Sequence, residues 1–414
     1  MTAAGTAPRS QGARLAIIVA VVIIDVLGIG LMWPVLPVLI RELSGGDLPA
    51  ASSIYGWVVA LYSLMQFLFG PMLGALSDRF GRRPVILFSL AGLVVDYVIL
   101  ALAPNVWWVA AARILGGIMG ASITTASAYI ADISPPEKRA QNFGLIGVAF
   151  GVGFVAGPFL GGFLGEIGSR VPFWAAAGVA LLALLFAYFF LPESLVPANR
   201  KRFRLSEGNP VGAFVVLARY PLVFAVLTVF VLANIGERLL ETNWVLYTGY
   251  RYGWGPADVG ISLAVFGVLI ALVQGGLVRV VVPWLGEVRT VAFGLAVGAV
   301  ALVLYVAATQ AWMVYAITVL YVLGWGNAGP AVQALVTRAV PANEQGLLQG
   351  AITSIGTVTA VIAAPLGAEL FAWFIGPSAP LLFPGVAFAL GALLFLIALA
   401  VMQTRRFRTA VQHK

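Results

Sequence analysis

Twelve long apolar runs follow one another along this chain of 414 residues, parted by short segments that carry Pro, Gly and charge. A run of about 18 or more apolar residues spans a bilayer as a helix, because lipid offers backbone groups no partner outside the helix. The breaks place the runs near 13–40, 54–77, 84–103, 106–131, 140–164 and 172–191, then 221–249, 257–281, 289–308, 311–336, 346–373 and 380–402. Composition agrees. Hydrophobic residues make up 61% of the chain and charged residues 10%, with a mean hydropathy of +1.00, whereas soluble domains run at about half apolar and a quarter charged.

The positive residues set the expected orientation. With the N-terminus in the cytoplasm, all but five of the 24 Lys and Arg fall on the inner side. Arg41, Arg170 and Arg251 fall in outer loops, and Arg113 and Arg238 lie within spans. Positive residues accumulate at the cytoplasmic surface, so both termini are expected inside. This pattern explains the net charge of +8 as topology, and nucleic acid is not expected as a partner. The first run holds Asp25 and no small-residue cleavage site follows it, so it reads as a retained span and not as a signal peptide. Cysteine is absent and the single histidine is His413. Disulfides, thiol- or histidine-based metal sites and histidine triads are thereby excluded.

The longest polar stretch lies between the sixth and seventh runs and carries Arg200, Lys201, Arg202, Arg204 and Arg219. It divides the chain into residues 1–195, a cytoplasmic linker at 196–220, and residues 221–414. A faint repeat relates the two parts. Pro135 to Gly144 matches Pro341 to Gly350 at an offset of 206, and Gly157-Pro158 is followed by Ala364-Pro365 at nearly the same offset. A second charged loop near Gly286-Glu287-Val288-Arg289 is eroded, with Pro283 standing where the first has Asp78. The expected fold is an all-α integral membrane protein of twelve transmembrane helices in two pseudo-symmetric six-helix bundles.

A charge at mid-membrane costs about 2.5–3.5 kcal/mol on insertion scales, so each one needs a pair, a cavity or a function. Asp96 and Arg113 come from consecutive spans, eight residues before Pro104 and nine after it. At about 1.5 Å per residue both sit about 12 Å from the turn and can face each other, as a structural ion pair or as part of the substrate cavity. Asp25 has no charged partner in its own span, and Gly28, Gly30, Pro34 and Pro37 follow it. Burial penalises a charged carboxylate, which suits a group that binds and releases protons; the alternative is a packing role. Asn234, Glu237, Arg238 and Glu241 stand at offsets of 0, 3, 4 and 7, on one helical stripe. That stripe either lines a transport cavity, with Glu237 and Glu241 as proton carriers, or forms a structural seam. Gln66, Gln274, Asn327 and Gln333 are further polar residues within apolar spans.

The loop between the second and third spans reads Gly74-Ala75-Leu76-Ser77-Asp78-Arg79-Phe80-Gly81-Arg82-Arg83-Pro84. It strongly resembles the loop signature of the major facilitator superfamily. The fifth span carries Gly153, Gly157, Pro158, Gly161 and Gly162, small residues that permit close helix approach, and resembles the antiporter signature of drug-efflux carriers. More closely, the stretch from Asp25 to Pro37, Ala60 to Gln66, Asp96-Tyr97, Arg113 to Ala121, Trp244 to Tyr247, Gln333 and Gln345 to Gly350 resemble the bacterial tetracycline efflux antiporters.

The resemblance implies that Gly74, Asp78, Arg79, Gly81, Arg82 and Arg83 form a cytoplasmic latch. Arg82 would bind Asp132, at the inner end of the fourth span, and Asp78 would meet the start of the eleventh, stabilising an outward-open state. It implies Asp25, Asp96 and Arg113 as the membrane charges of the first half. Those carriers also hold a histidine in helix eight and an aspartate in helix nine, where Ile270 and Gly298 stand here, and their pattern lacks the Glu237, Arg238 and Glu241 stripe.

The expected function is proton-coupled export of an amphipathic small molecule or drug by alternating access. A proton symporter or facilitator importing a nutrient is the second reading, and a membrane receptor or enzyme the third. No enzymatic activity and no cofactor are expected, the proton gradient being the energy source. The expected partners are a small-molecule substrate, protons and the lipid bilayer, for a monomer in the bacterial inner membrane.

Overall fold

The computed structural model describes residues 11–120, 122–200, 221–339 and 345–404. Among them there is no strand. The helices are α1 (Gln11–Met32), α2 (Leu36–Leu43), α3 (Leu48–Phe80), α4 (Arg82–Leu102), α5 (Val106–Met119), α6 (Ser122–Ile133), α7 (Arg139–Ile167) and α8 (Val171–Phe190). After the linker come α9 (Pro221–Tyr252), α10 (Pro256–Leu272), α11 (Val278–Leu285), α12 (Glu287–Ala307), α13 (Ala311–Ala339), α14 (Gln345–Ile375) and α15 (Val386–Gln403). Most of the linker, the start of the second Pro341–Gly350 repeat and the C-terminal tail lie outside the described residues.

Among the described residues, eleven helical segments, some built from two consecutive helices, are long and apolar enough to cross a membrane. The sequence reading expected twelve; α9, which carries Glu237, Arg238 and Glu241, is not among the eleven.

Local chemistry explains the breaks. Pro34 and Pro37 withhold backbone donors, and the first span splits there into α1 and α2. Asn105 caps α5 by accepting the amides of Trp107 and Trp108. Gly81 and Gly286 join successive helices at φ +107° and +76°, a backbone that L side chains rarely adopt. They stand 205 residues apart, so the eroded second loop keeps its turn although Pro283 stands where the first has Asp78. Pro71 interrupts α3, and in the second half a π-helical turn, Val273–Leu277, lies at the corresponding place.

Packing repeats in the same order. In the first half α1 packs on α7 and α8, α4 on α5 and α8, and α3 on α5. In the second, α9 packs on α14 and α15, α12 on α13 and α15, and α10 on α13. Two seams join the halves, α3 against α14 and α7 against α10.

Glycine makes both kinds of contact close. A Cβ on Gly157 would lie 2.7 Å from Gly30 Cα, and one on Gly153 2.7 Å from Val26 Cγ1, so this face of α7 seats on α1. Gly162 and Gly165 turn the opposite way, onto Pro256 of α10, while Gly56 of α3 meets Ala368 and Pro365 of α14.

All of these inter-half contacts lie toward one end. Glu166 accepts the Ala257 amide at 3.1 Å there, and Glu369 accepts from Ser53 and Trp57. Toward the end that bears the loop at 78–83, Gly70, Gly74, Gly144, Gly147, Gly151, Gly275, Gly276, Gly350 and Gly356 face open space. The seams are closed at one end only.

Candidate functional site

Two adjoining cavities lie between the halves. The first, about 250 Å³, is walled mainly by aromatic residues, among them Trp33, Phe154, Trp244, Phe266 and Tyr321, with Glu237, Arg238 and Glu241 at its polar side. The second, about 430 Å³, is lined by Tyr55, Tyr62, Ser63, Gln66, Arg113 and Thr242, and shares Trp33, Arg238 and Glu241 with the first.

The elements fix these side chains firmly. Trp244 of α9 donates to Ser262 of α10 at 2.9 Å, and Tyr247 donates to the Tyr305 carbonyl of α12 at 2.8 Å. Both contacts hold α9 in one rotation, with its charged stripe toward the cavities.

Each half contributes one ion pair. Arg113 of α5 binds Asp96 of α4, both almost wholly buried. Arg113 also donates to Met32 Sδ at 3.1 Å, and its guanidinium lies 5.4 Å from the Tyr62 ring. Asp25 is 4% exposed, on α1 of the same half. In the second half Arg238 binds Glu241, and this pair keeps about a third of its surface open to the cavity. Glu237 lines the first cavity beside this pair. Of these charged residues, Glu237, Glu241, Arg113 and Arg238 line the cavities, and Asp25 and Asp96 are buried in the first half.

The remaining polar candidates scatter. Gln66 lines the second cavity. Asn234 turns its amide to the Phe230 carbonyl of its own helix, and Asn327 does the same to Leu323. Gln274 and Gln333 line a separate pocket of about 270 Å³, and Gln333 reaches Gln349 at 3.4 Å.

At the charged loop, Arg82 bonds Asp78 at 2.6 Å, Asp132 at 3.0 Å and Ser77 Oγ at 2.6 Å. Glu193, which the sequence reading missed, caps α4 by accepting the Arg82 and Arg83 amides at 2.9 and 3.2 Å. A carboxylate suits a helix N-terminus, and the acidic residue just after the sixth span was its only sequence signal. Arg79 stacks over Phe80 at 5.0 Å, and Gly81 supplies the turn. The Asp78, Arg82 and Asp132 cluster is complete although the seams at this end are open. Its ion pairs lie within one half, and residues 340–344, before the eleventh span that the resemblance sets against Asp78, lie outside the described residues.

Sequence reasoning also missed the aromatic lining. Aromatic residues are frequent throughout these spans, and only helix rotation separates lining residues from lipid-facing ones.

At the places where the resemblance sets charges in helices eight and nine, Ile270 is partly buried against the apolar core beside Gly326, and a Cβ on Gly298 would press into the Phe395 ring. Gly298 leaves no room for a charged side chain.

Comparison with known proteins agrees with this architecture. Residues 18–364 match the model of the Major Facilitator Superfamily. "Tetracycline resistance protein, class C" of Escherichia coli is 40% identical, over 94% of this chain and 96% of its own length. The class G protein of Vibrio anguillarum is 39% identical over 96% and 99%. "Multidrug resistance protein 1" of Bacillus subtilis is 29% identical over 92% and 95%.

Among solved structures, the human organic anion transporter MFSD10 superposes with a TM-score of 0.69 at 23% identity, covering 96% of this chain and all of that one. A bacterial homolog of the lysosomal transporter Spinster, inward-facing and unoccupied, gives 0.74 at 16%, covering 99% and 98%. These two show the fold alone. With a family model matching most of its length and relatives alike from end to end, the chain belongs to the Major Facilitator Superfamily of membrane transporters.

Proposed function

We propose that this transporter exports an amphipathic, drug-like molecule in exchange for protons, by alternating access between two six-helix bundles. The observation that carries the reading is the charged lining of the cavities, where Glu237 and Glu241 flank Arg238 and Arg113 lines the second cavity, with Asp25 and Asp96 buried in the same half as Arg113. Glu237 and Glu241 share the one guanidinium of Arg238 in their half, and a proton or a cationic substrate removes the cost of the second carboxylate charge at mid-membrane. Protons and substrate therefore compete for one site, which is the requirement for exchange. Asp25 and Glu237, one in each half, are the proposed proton carriers.

In this reading α9 is the twelfth span, its charges tolerated because they face an aqueous cavity. The repeated packing order and the two positive-φ glycines support pseudo-symmetric bundles. The asymmetric distribution of Lys and Arg supports a cytoplasmic charged loop, which makes the open end the inner one and the conformation inward-open. Rocking about the two seams would close that end and open the other. The relatives named for tetracycline and multidrug resistance support a drug as cargo.

Inverted membrane vesicles carrying the protein, with an inside-acid gradient imposed, test the reading. Tetracycline or ethidium should accumulate inside and be lost when the gradient is collapsed. Gradient-independent equilibration, or accumulation only in right-side-out vesicles, would favour a facilitator or an importer.

A further inference from the structure

Trp33 stands in the turn between α1 and α2, outside both helices. Its amide donates to the Gly30 carbonyl at 3.2 Å and that of Val35 to Met32 at 3.1 Å, short-range bonds around Pro34, which has no N–H to give. The turn aims the indole into the space between the halves, where it meets the Phe154 ring edge-on at 5.6 Å. Among the described residues of the first half, Trp33 alone lines both cavities. On one side the walls are aromatic, and on the other they carry hydroxyl groups, Gln66 and Arg113.

The indole Nε1 is buried and has no hydrogen-bond partner. The same holds for Arg238 Nε, beside both cavities, and for the hydroxyl of Tyr321 in the aromatic one. A buried donor left unpaired carries a desolvation cost, and such groups mark places where a ligand or water completes the bonding. Phe154 packing alone would need an aromatic ring at position 33 but not its N–H.

We propose that Trp33 determines which substrates this transporter accepts, by donating its indole N–H to an acceptor oxygen where the two cavities meet. This deepens, and rests on, the transport reading above. The substrate class is a flat amphipathic molecule with its apolar rings among the aromatic walls and its oxygen-bearing edge toward Gln66 and Arg113. Trp33 stands at the boundary between these two parts of the ligand.

Two probes separate the roles of ring and N–H. Tetracycline carries acceptor oxygens, whereas ethidium is a flat aromatic cation with none. Trp33→Phe keeps the contact with Phe154 and removes the donor. It should raise KM and Kd for tetracycline about tenfold, as expected for one lost hydrogen bond, with kcat and the unfolding temperature unchanged. For ethidium it should weaken binding and transport clearly less than for tetracycline. Trp33→Ala, which also removes the partition, should weaken binding of both probes.

A Trp33→Phe protein that binds tetracycline like the wild type contradicts the assignment, whatever transport shows. So does an equal loss for the two probes, or a wild type that moves ethidium but not tetracycline. A wild type that binds tetracycline through Trp33 yet moves neither probe contradicts the transport reading and leaves the donor assignment standing.

Discussion

The indole N–H of Trp57 on α3 reaches Glu369 on α14 at 3.0 Å, across a seam between the two halves of the chain. Ser53 donates to the same carboxylate oxygen, and Gly56 lets the helices touch one turn further along. These contacts, with Glu166 on the Ala257 amide, tie the closed end.

Glu369→Ala should therefore populate a state in which that end is open. The chain has no cysteine, so spin labels can be placed at Asp47→Cys and Leu381→Cys, both exposed at the closed end. Their distance distribution should gain a longer component in the Glu369→Ala background. An unchanged distribution would mean that apolar packing alone holds the seam.

Arg82 should prove the organising residue of the charged loop, because it bonds Asp78, Asp132 and Ser77 together. Hydrogen bonds to charged groups are worth about 1.5–3 kcal/mol each. Arg82→Ala and Asp132→Asn should each slow transport about tenfold or more, a loss of about 1.4 kcal/mol, and Asp78→Asn should impair it too. Expression should stay near the wild-type level, as immunoblotting can check. Normal turnover in all three would remove this cluster from the transport cycle.

The Asp96 and Arg113 pair is buried on both sides. Removing one partner leaves an uncompensated charge, a loss of about 3–5 kcal/mol in buried pairs. Arg113→Ala should lower the unfolding temperature of the purified protein sharply, and adding Asp96→Asn should recover much of the loss. If the double variant is no more stable than Arg113→Ala, the arginine acts through Met32 and Tyr62 instead.

Much of this was legible in the sequence for identifiable physical reasons. Apolar runs bounded by Pro, Gly and charge placed the helices to within a few residues, because lipid allows the backbone no other arrangement. Equal depth from Pro104 foretold the Asp96 and Arg113 pair, and Pro34 with Pro37 marked the break in the first span. Spacing could not say which members of a stripe face a cavity, since Asn234 and Glu237 differ by less than a full helical turn. Asn234 satisfies its own helix, whereas Glu237 lines the aromatic cavity. Which end of the seams is closed was not legible either. That choice rests on a few contacts such as Glu369 with Trp57.

The central claim is exchange of protons for substrate at the cavity carboxylates, and proton flux measured in proteoliposomes tests it most directly. With tetracycline supplied on one side and no pH gradient imposed, its downhill movement should drive protons the opposite way, read by a trapped pH dye. Asp25→Asn and Glu237→Gln should each weaken that proton signal, and together they should abolish it while tetracycline still binds. Tetracycline flux with no proton movement, with protons moving the same way, or with full proton exchange in the double variant would contradict the account.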